Sequence, residues 1–152
     1  MIQFIIRLNH MRATNKILDK LEGHYGYLSV QKCCSNVVEK CLQFSHESKR
    51  VKIIHELSND PTLINILLHK YGNYVIQTAL NECEVITVPL LYDNNSLRIS
   101  WIISLKMYVM HVQNAAVRDA LIRAIRTHVA ALRNNTYGKR ILSKIHLNNR
   151  EH

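Results

Sequence analysis

Apolar positions recur along this chain in two distinct layouts. In the first, Ile17, Leu18 and Leu21 fall at i, i+1 and i+4 within Asn15–Leu21, the spacing of one helical face, and Gly23 closes the run. The same triplet returns 36 residues later as Ile53, Ile54 and Leu57 within Glu47–Leu57, and a third time as Leu121, Ile122 and Ile125. Each predicts an amphipathic helix with one buried side.

The second layout is Ser35-Asn36-Val37-Val38-Glu39 and, 38 residues on, Asn73-Tyr74-Val75-Ile76-Gln77. A small polar residue is followed by one able to stack, then two β-branched residues, then a residue that hydrogen-bonds. Positions i and i+4 of a helix lie one above the other, so Ser35/Glu39 and Asn73/Gln77 each predict a two-pronged polar fork. Val37, Val38, Cys41 and Leu42, and likewise Val75, Ile76, Ala79 and Leu80, fall on the opposite side. Asp60-Pro61 ahead of Thr62–Leu68 reads as an N-cap with proline at the first helical position, and the second forked helix starts near Gly72. One unit is therefore a short helix, a forked helix and a longer amphipathic helix. A period of 36–38 residues without strand signals predicts an all-α solenoid, whose units bury their apolar sides only by stacking.

The period then breaks. The best match to a third forked helix, Asn135–Leu142, places Thr136 63 residues after Asn73, which leaves about 25–30 residues too many. In that alignment Lys139 takes the inward position of Val38 and Ile76, so Thr136, Tyr137 and Arg140 receive no reading role. The surplus lies between Glu84 and Ala116 and holds the only tryptophan, Trp101. Leu97–Ile102 alternates in a β-leaning way, and Asp93-Asn94-Asn95 could close a hairpin. An insertion, or translated intron, is expected at about 86–113. The boundaries that follow are a truncated repeat at 1–22, complete repeats at 23–58 and 59–126, and a capping segment at 127–152. Residues 1–8 read as the remainder of a helix.

Composition narrows the partners. Twenty Lys and Arg against eleven Asp and Glu give a net charge of +9, which favours a polyanion. The four cysteines, Cys33, Cys34, Cys41 and Cys83, include no C-x-x-C pair, so neither a zinc site nor a disulfide framework is expected. The nine histidines are scattered. No Ser/His/Asp constellation, glycine-rich phosphate loop or paired carboxylate stands out. The expectations are no catalysis, no cofactor, no metal, no small-molecule substrate, no membrane span and a cytoplasmic protein.

At the forks the chain resembles the PUF (Pumilio-type) RNA-binding repeat proteins, in the C-terminal portion of their repeat array. Ser35–Cys41 is similar to the family's guanine-reading helix, Gly72–Gln77 to its uracil-reading helix, and Leu132–Leu142 to its terminal cap. The resemblance implies a solenoid of three-helix, armadillo-like repeats that binds single-stranded RNA one base per repeat. Ser35 and Glu39 would meet a guanine edge, where a carboxylate accepts from N1–H and N2–H₂, donors that adenine does not offer together. Asn73 and Gln77 would meet uracil, with Asn36 and Tyr74 as stacking residues. Met1-Ile2-Gln3 resembles the end of another such helix, which makes Gln3 a further base-edge contact. Read antiparallel, the implied site is a UGU element of an mRNA 3′ untranslated region, bound for post-transcriptional regulation together with mRNA-decay or translational-repression proteins. The alternatives are a protein-interaction solenoid and a truncated, non-functional fragment.

Overall fold

Gly23, at φ +81°, turns the chain out of the first described helix, α1 (Met11–Leu21). The computed structural model describes residues 11–83 and 97–147. Three helices follow α1: short α2 (Tyr25–Ser29), α3 (Cys34–Phe44) and α4 (Glu47–Ser58). The series repeats as α5 (Leu63–Leu68), α6 (Gly72–Glu82) and α7 (Leu97–Arg126), and begins again with α8 (Val129–Arg133) and α9 (Thr136–Leu147). Every described element is a helix.

Equivalent helices stack in rows. The forked helices run side by side in the order α3, α6, α9, while α4 packs against α7 and α2 against α5. Val38, Cys41 and Leu42 of α3 and Val75, Ile76, Ala79 and Leu80 of α6 are buried, as their spacing predicts, and Val37 is half-buried. Ile53, Ile54 and Leu57 of α4 join them, opposite Leu121 and Ile125 of α7. All belong to one continuous core, so each unit's apolar side is covered by its neighbours, as a solenoid requires.

Polar side chains fasten helices both within a unit and between successive units. The Glu56 carboxylate, from α4, accepts from the backbone N–H groups of Gly23 (2.8 Å) and Tyr25 (2.7 Å), donors at the start of α2 that the helix itself leaves unpaired. Arg50 donates from Nε to the Leu42 carbonyl (2.8 Å), from Nη2 to that of Ser45 (3.4 Å) and from Nη1 to that of Glu82 (3.5 Å). One guanidinium thus serves the C-terminal ends of α3 and α6, where positive charge is favoured. Asp19 and Glu22 of α1 pair with Lys49 and Lys52 of α4.

Two expectations change. Leu97–Ile102 is the first part of the 30-residue helix α7, not a strand. Over six residues its apolar positions fit either period, and Gly and Pro are absent from 97 to 126, so nothing interrupts a helix running on to Leu121 and Ile125. The Asp93-Asn94-Asn95 turn and residues 1–8 lie outside the described residues. Asp60 and Pro61 precede the helix rather than open it: Asp60 Oδ1 accepts from Thr62 N (2.7 Å) and Thr62 Oγ1 (2.6 Å). That carboxylate stabilises a turn, Thr62 becomes the residue before α5, and the first helical residue is Leu63.

Candidate nucleic-acid interface

The register of the second and third forked helices is set by where each meets the short helix before it. Ser35 N donates to Gln31 O (3.0 Å), Asn73 N to His69 O (3.1 Å) and Lys139 N to Asn135 O (2.9 Å), in each case a residue four positions earlier. Gly72 and Gly138 lie against the preceding short helices so closely that an added Cβ would meet Ile66 O at 2.4 Å and Leu132 O at 2.5 Å. Gly138 is therefore the counterpart of Gly72, and Cys34 stands at that place in α3.

This register corrects the sequence alignment of the third helix by three residues. Lys139, not Thr136, is the counterpart of Ser35 and Asn73. Arg140 follows Asn36 and Tyr74, and Ser143 follows Glu39 and Gln77. The inward position assigned to Lys139 belongs to Leu142, which is buried, while Lys139 is exposed. The dipeptides Tyr71-Gly72 and Tyr137-Gly138 were the available signal. They lost to a polar-residue match because the third helix carries Lys139 and Ser143 where the others carry neutral or acidic forks.

Each predicted residue takes a depth set by its place on the helix. The first prongs are sunk: Ser35 is 2% exposed and Asn73 0%. The second prongs, Glu39 and Gln77, are half-buried. Asn36 and Tyr74 are exposed, Tyr74 by 46%, and Arg140 continues their line. The Tyr74 hydroxyl accepts from Arg140 Nη1 at 3.1 Å, a contact between neighbouring helices. Gln3 lies outside the described residues.

The two forks differ in their internal bonding. In α6 the Asn73 amide nitrogen donates to the carbonyls of His69 (2.8 Å) and Lys70 (3.1 Å), and its Oδ1 accepts from Gln77 Nε2 (3.0 Å). The Gln77 carbonyl oxygen and its second N–H remain available, one acceptor and one donor, a set that complements a uracil edge. In α3 Ser35 is too short for such a bond. Glu39 Oε2 instead accepts from Thr78 Oγ1 of α6 at 3.4 Å. Burial pushes the Glu39 carboxyl above the usual glutamate range, opposed by the Thr78 hydrogen bond and then by the charge of Lys40. The Lys40 ammonium itself is held by Gln43 Oε1 at 2.8 Å.

Among the described residues no cluster of three or more His, Cys, Asp and Glu could hold a metal ion. No described helix is long and apolar enough to cross a membrane. The cysteines are free thiols, with Cys41 and Cys83 buried.

Three-helix units stacked in rows, two of them with a polar pair at i and i+4 beside an exposed residue at one register, define an α-helical repeat protein. Residues 24–58 and 64–88 match the family model described as the Pumilio-family RNA binding repeat. The chain belongs to the Pumilio (PUF) family. It is 37% identical over 144 residues to Pumilio homolog 12 of Arabidopsis thaliana, covering 95% of this chain and 19% of that protein. It is 30% identical over 144 residues to Pumilio domain-containing protein C6G9.14 of Schizosaccharomyces pombe, covering 95% of this chain and 17% of that protein. The chain thus spans under a fifth of the length of these two curated relatives. Its fold matches the Puf3 RNA binding domain, solved bound to a Cox17 RNA 3′ UTR recognition sequence, with a TM-score of 0.52 and 18% identity, over 95% of this chain and 43% of that one.

Proposed function

We propose that this chain binds single-stranded RNA in sequence-specific fashion, with α3 taking a guanine and α6 a uracil. The observation that carries the reading is the shared register of two forks on adjacent helices, each with an exposed stacking residue beside it. Glu39 accepts from guanine N1–H and N2–H₂ over Ser35, and Asn36 covers the base. Gln77 contacts the uracil edge with Asn73 behind it, and Tyr74 stacks. Direct contact by Asn73 requires its amide to leave the His69 and Lys70 carbonyls. Gln3 supplies a further contact if the preceding unit continues the series. The +9 charge adds sequence-independent attraction to phosphates.

The RNA runs antiparallel to the repeats, so the site reads 5′-UG, extended to UGU by the Gln3 unit. Such an element lies in an mRNA 3′ untranslated region, and binding regulates stability or translation in the cytoplasm through recruited decay or repression proteins rather than by catalysis. Complete units at 23–58 and 59–126, preceded by a partial unit and closed by 127–152, suit one base per unit. The solved complex of Puf3 with a 3′ UTR sequence supports this reading.

Fluorescence anisotropy against two short RNAs that differ only in the guanine of a UGUA core, at two salt concentrations, tests it. The expected result is a preference for guanine that survives the higher salt. Equal binding to both RNAs that collapses with salt would leave only the charge at work.

A further inference from the structure

We infer that Thr78, on the uracil-side helix, is a positioning residue for the guanine reader Glu39 on the neighbouring helix, so that recognition of one base depends on the unit that reads the next. The inference rests on the proposed function of Glu39.

A fork works only if its second prong is held in one orientation, because a half-exposed Glu or Gln has several rotamers and each unproductive one lowers the occupancy of the binding geometry. In α6 the solution is internal: Asn73 Oδ1 holds Gln77 Nε2 at 3.0 Å. In α3 the first prong is Ser35, whose side chain reaches one atom less far. Among the described residues the one hydrogen-bond partner of the Glu39 carboxylate is Thr78 Oγ1, at 3.4 Å and 39 residues away in sequence. Thr78 sits one residue after Gln77, at the place held by Lys40 in α3 and Lys144 in α9. Lys40 turns to Gln43 of its own helix, and Lys144 reaches Asn81 of α6. Of the three equivalent side chains, only Thr78 touches a fork.

Thr78 is 9% exposed, with α3 and α6 packed together, so its hydroxyl faces a fixed neighbour rather than water. A carboxylate offers about four lone-pair directions. Thr78 occupies one on Oε2, which leaves Oε1 and the remaining lone pair of Oε2 for the two guanine donors, side by side. The 3.4 Å separation is long for a hydroxyl and a carboxylate, whose optimum is roughly 2.7 Å. The contact is weak in the free chain, so the positioning role requires that it shorten when the carboxylate meets the base.

Thr78→Val replaces the hydroxyl by a methyl group of similar size at a buried position. Measured with the full chain and paired RNAs, it is expected to lower the guanine-over-adenine ratio about 3- to 10-fold, while the ratio for uracil against cytosine at the α6 position stays within about 2-fold. Thr78→Ser, which restores a donor, is expected to recover most of the guanine preference. A merely structural role would weaken both ratios or neither and would not distinguish Ser from Val. Thr78→Ala carries the same test if the valine variant loses helicity. Glu39→Gln is run alongside. If it erases the guanine preference while Thr78→Val leaves that preference whole, the positioning role is overturned and the Glu39 reading stands. If Glu39→Gln changes nothing, or the unmodified chain shows no guanine preference, both fall together.

Discussion

Glu39→Gln isolates one charge in the proposed interface while keeping shape and length. In the structure the carboxylate is half-buried on α3, accepts from Thr78 Oγ1 and lies near Lys40, whose ammonium is bonded to Gln43. Glutamine can still accept from Thr78, but only one of its terminal groups is an acceptor, so its NH₂ meets one of the two guanine donors head-on. A bidentate contact of this kind is worth about 1–3 kcal/mol of discrimination, which is about 5- to 150-fold in the ratio of Kd values for guanine and adenine. Adenine binding should change little. The pH dependence supplies a second, independent reading. Burial raises the Glu39 carboxyl above the ordinary glutamate range, so the wild-type guanine preference is expected to fall as pH drops through that raised value. Glu39→Gln is flat over the same window. The sign for stability is opposite: a carboxyl raised in the folded state contributes stability below its unfolded value and loses it as pH rises through the folded one. Ionising Glu39 in the folded chain therefore costs stability, and Glu39→Gln should melt no lower than wild type. Anisotropy with paired RNAs between pH 5 and pH 8, together with thermal melts, reads both. A folded variant that keeps its guanine preference would refute the assignment, and one that melts well below wild type would refute the stability argument.

Tyr74→Ala should raise Kd for every base offered to the α6 slot by about 5- to 150-fold, the equivalent of roughly 1–3 kcal/mol per stacked base, without changing which base is preferred. Its ring is 46% exposed, so a melt should move far less than the affinity. Gly138→Ala places a methyl 2.5 Å from Leu132 O and 2.6 Å from Leu132 Cα, against backbone that cannot rotate away, and should cost about 1–3 kcal/mol in a urea titration. A neutral outcome would undo the alignment of Gly138 with Gly72. Burial pushes the Cys41 thiol up to about 12 and that of Cys83 to about 11, so both should resist a thiol reagent at pH 8 that labels exposed Cys33, until denaturant opens the core. Mass spectrometry of the labelled peptides distinguishes the sites.

The helical class and the depth of most core residues were legible because they rest on periodicity alone. The three apolar triplets beginning at Ile17, Ile53 and Leu121 and the paired Val-Val and Val-Ile steps carry the repeat without any knowledge of contacts. Leu97–Ile102 was misread for a reason internal to the same method: six residues of alternation cannot distinguish a period of 2 from a period of 3.6, and the continuous α7 decides only through its run to Leu121 and Ile125. The third forked helix slipped by three residues because it was aligned on polar side chains, which vary with whatever each helix contacts. The better guide is steric: in the second and third units the forked helix approaches the short helix closely, and glycine at 72 and 138 reports it, although the first forked helix has Cys34 there.

Thr78 and Arg140 were invisible for a different reason. Their significance is a contact between units, Thr78 to Glu39 across 39 residues and Arg140 to Tyr74 across 66, and a one-dimensional period assigns each residue to its own unit. The neighbouring helix therefore supplies part of each fork's surroundings. In a stacked array a fork can take its prongs from one unit and their support from the next, as Glu39 does from Thr78. A unit moved into a different neighbourhood keeps its prongs and loses that support, so the identity of a fork alone underdetermines its selectivity. For this chain the proposal has a concrete consequence: the α3 fork proposed to take guanine leans on Thr78 of α6, whereas the α6 fork proposed to take uracil is held internally by Asn73.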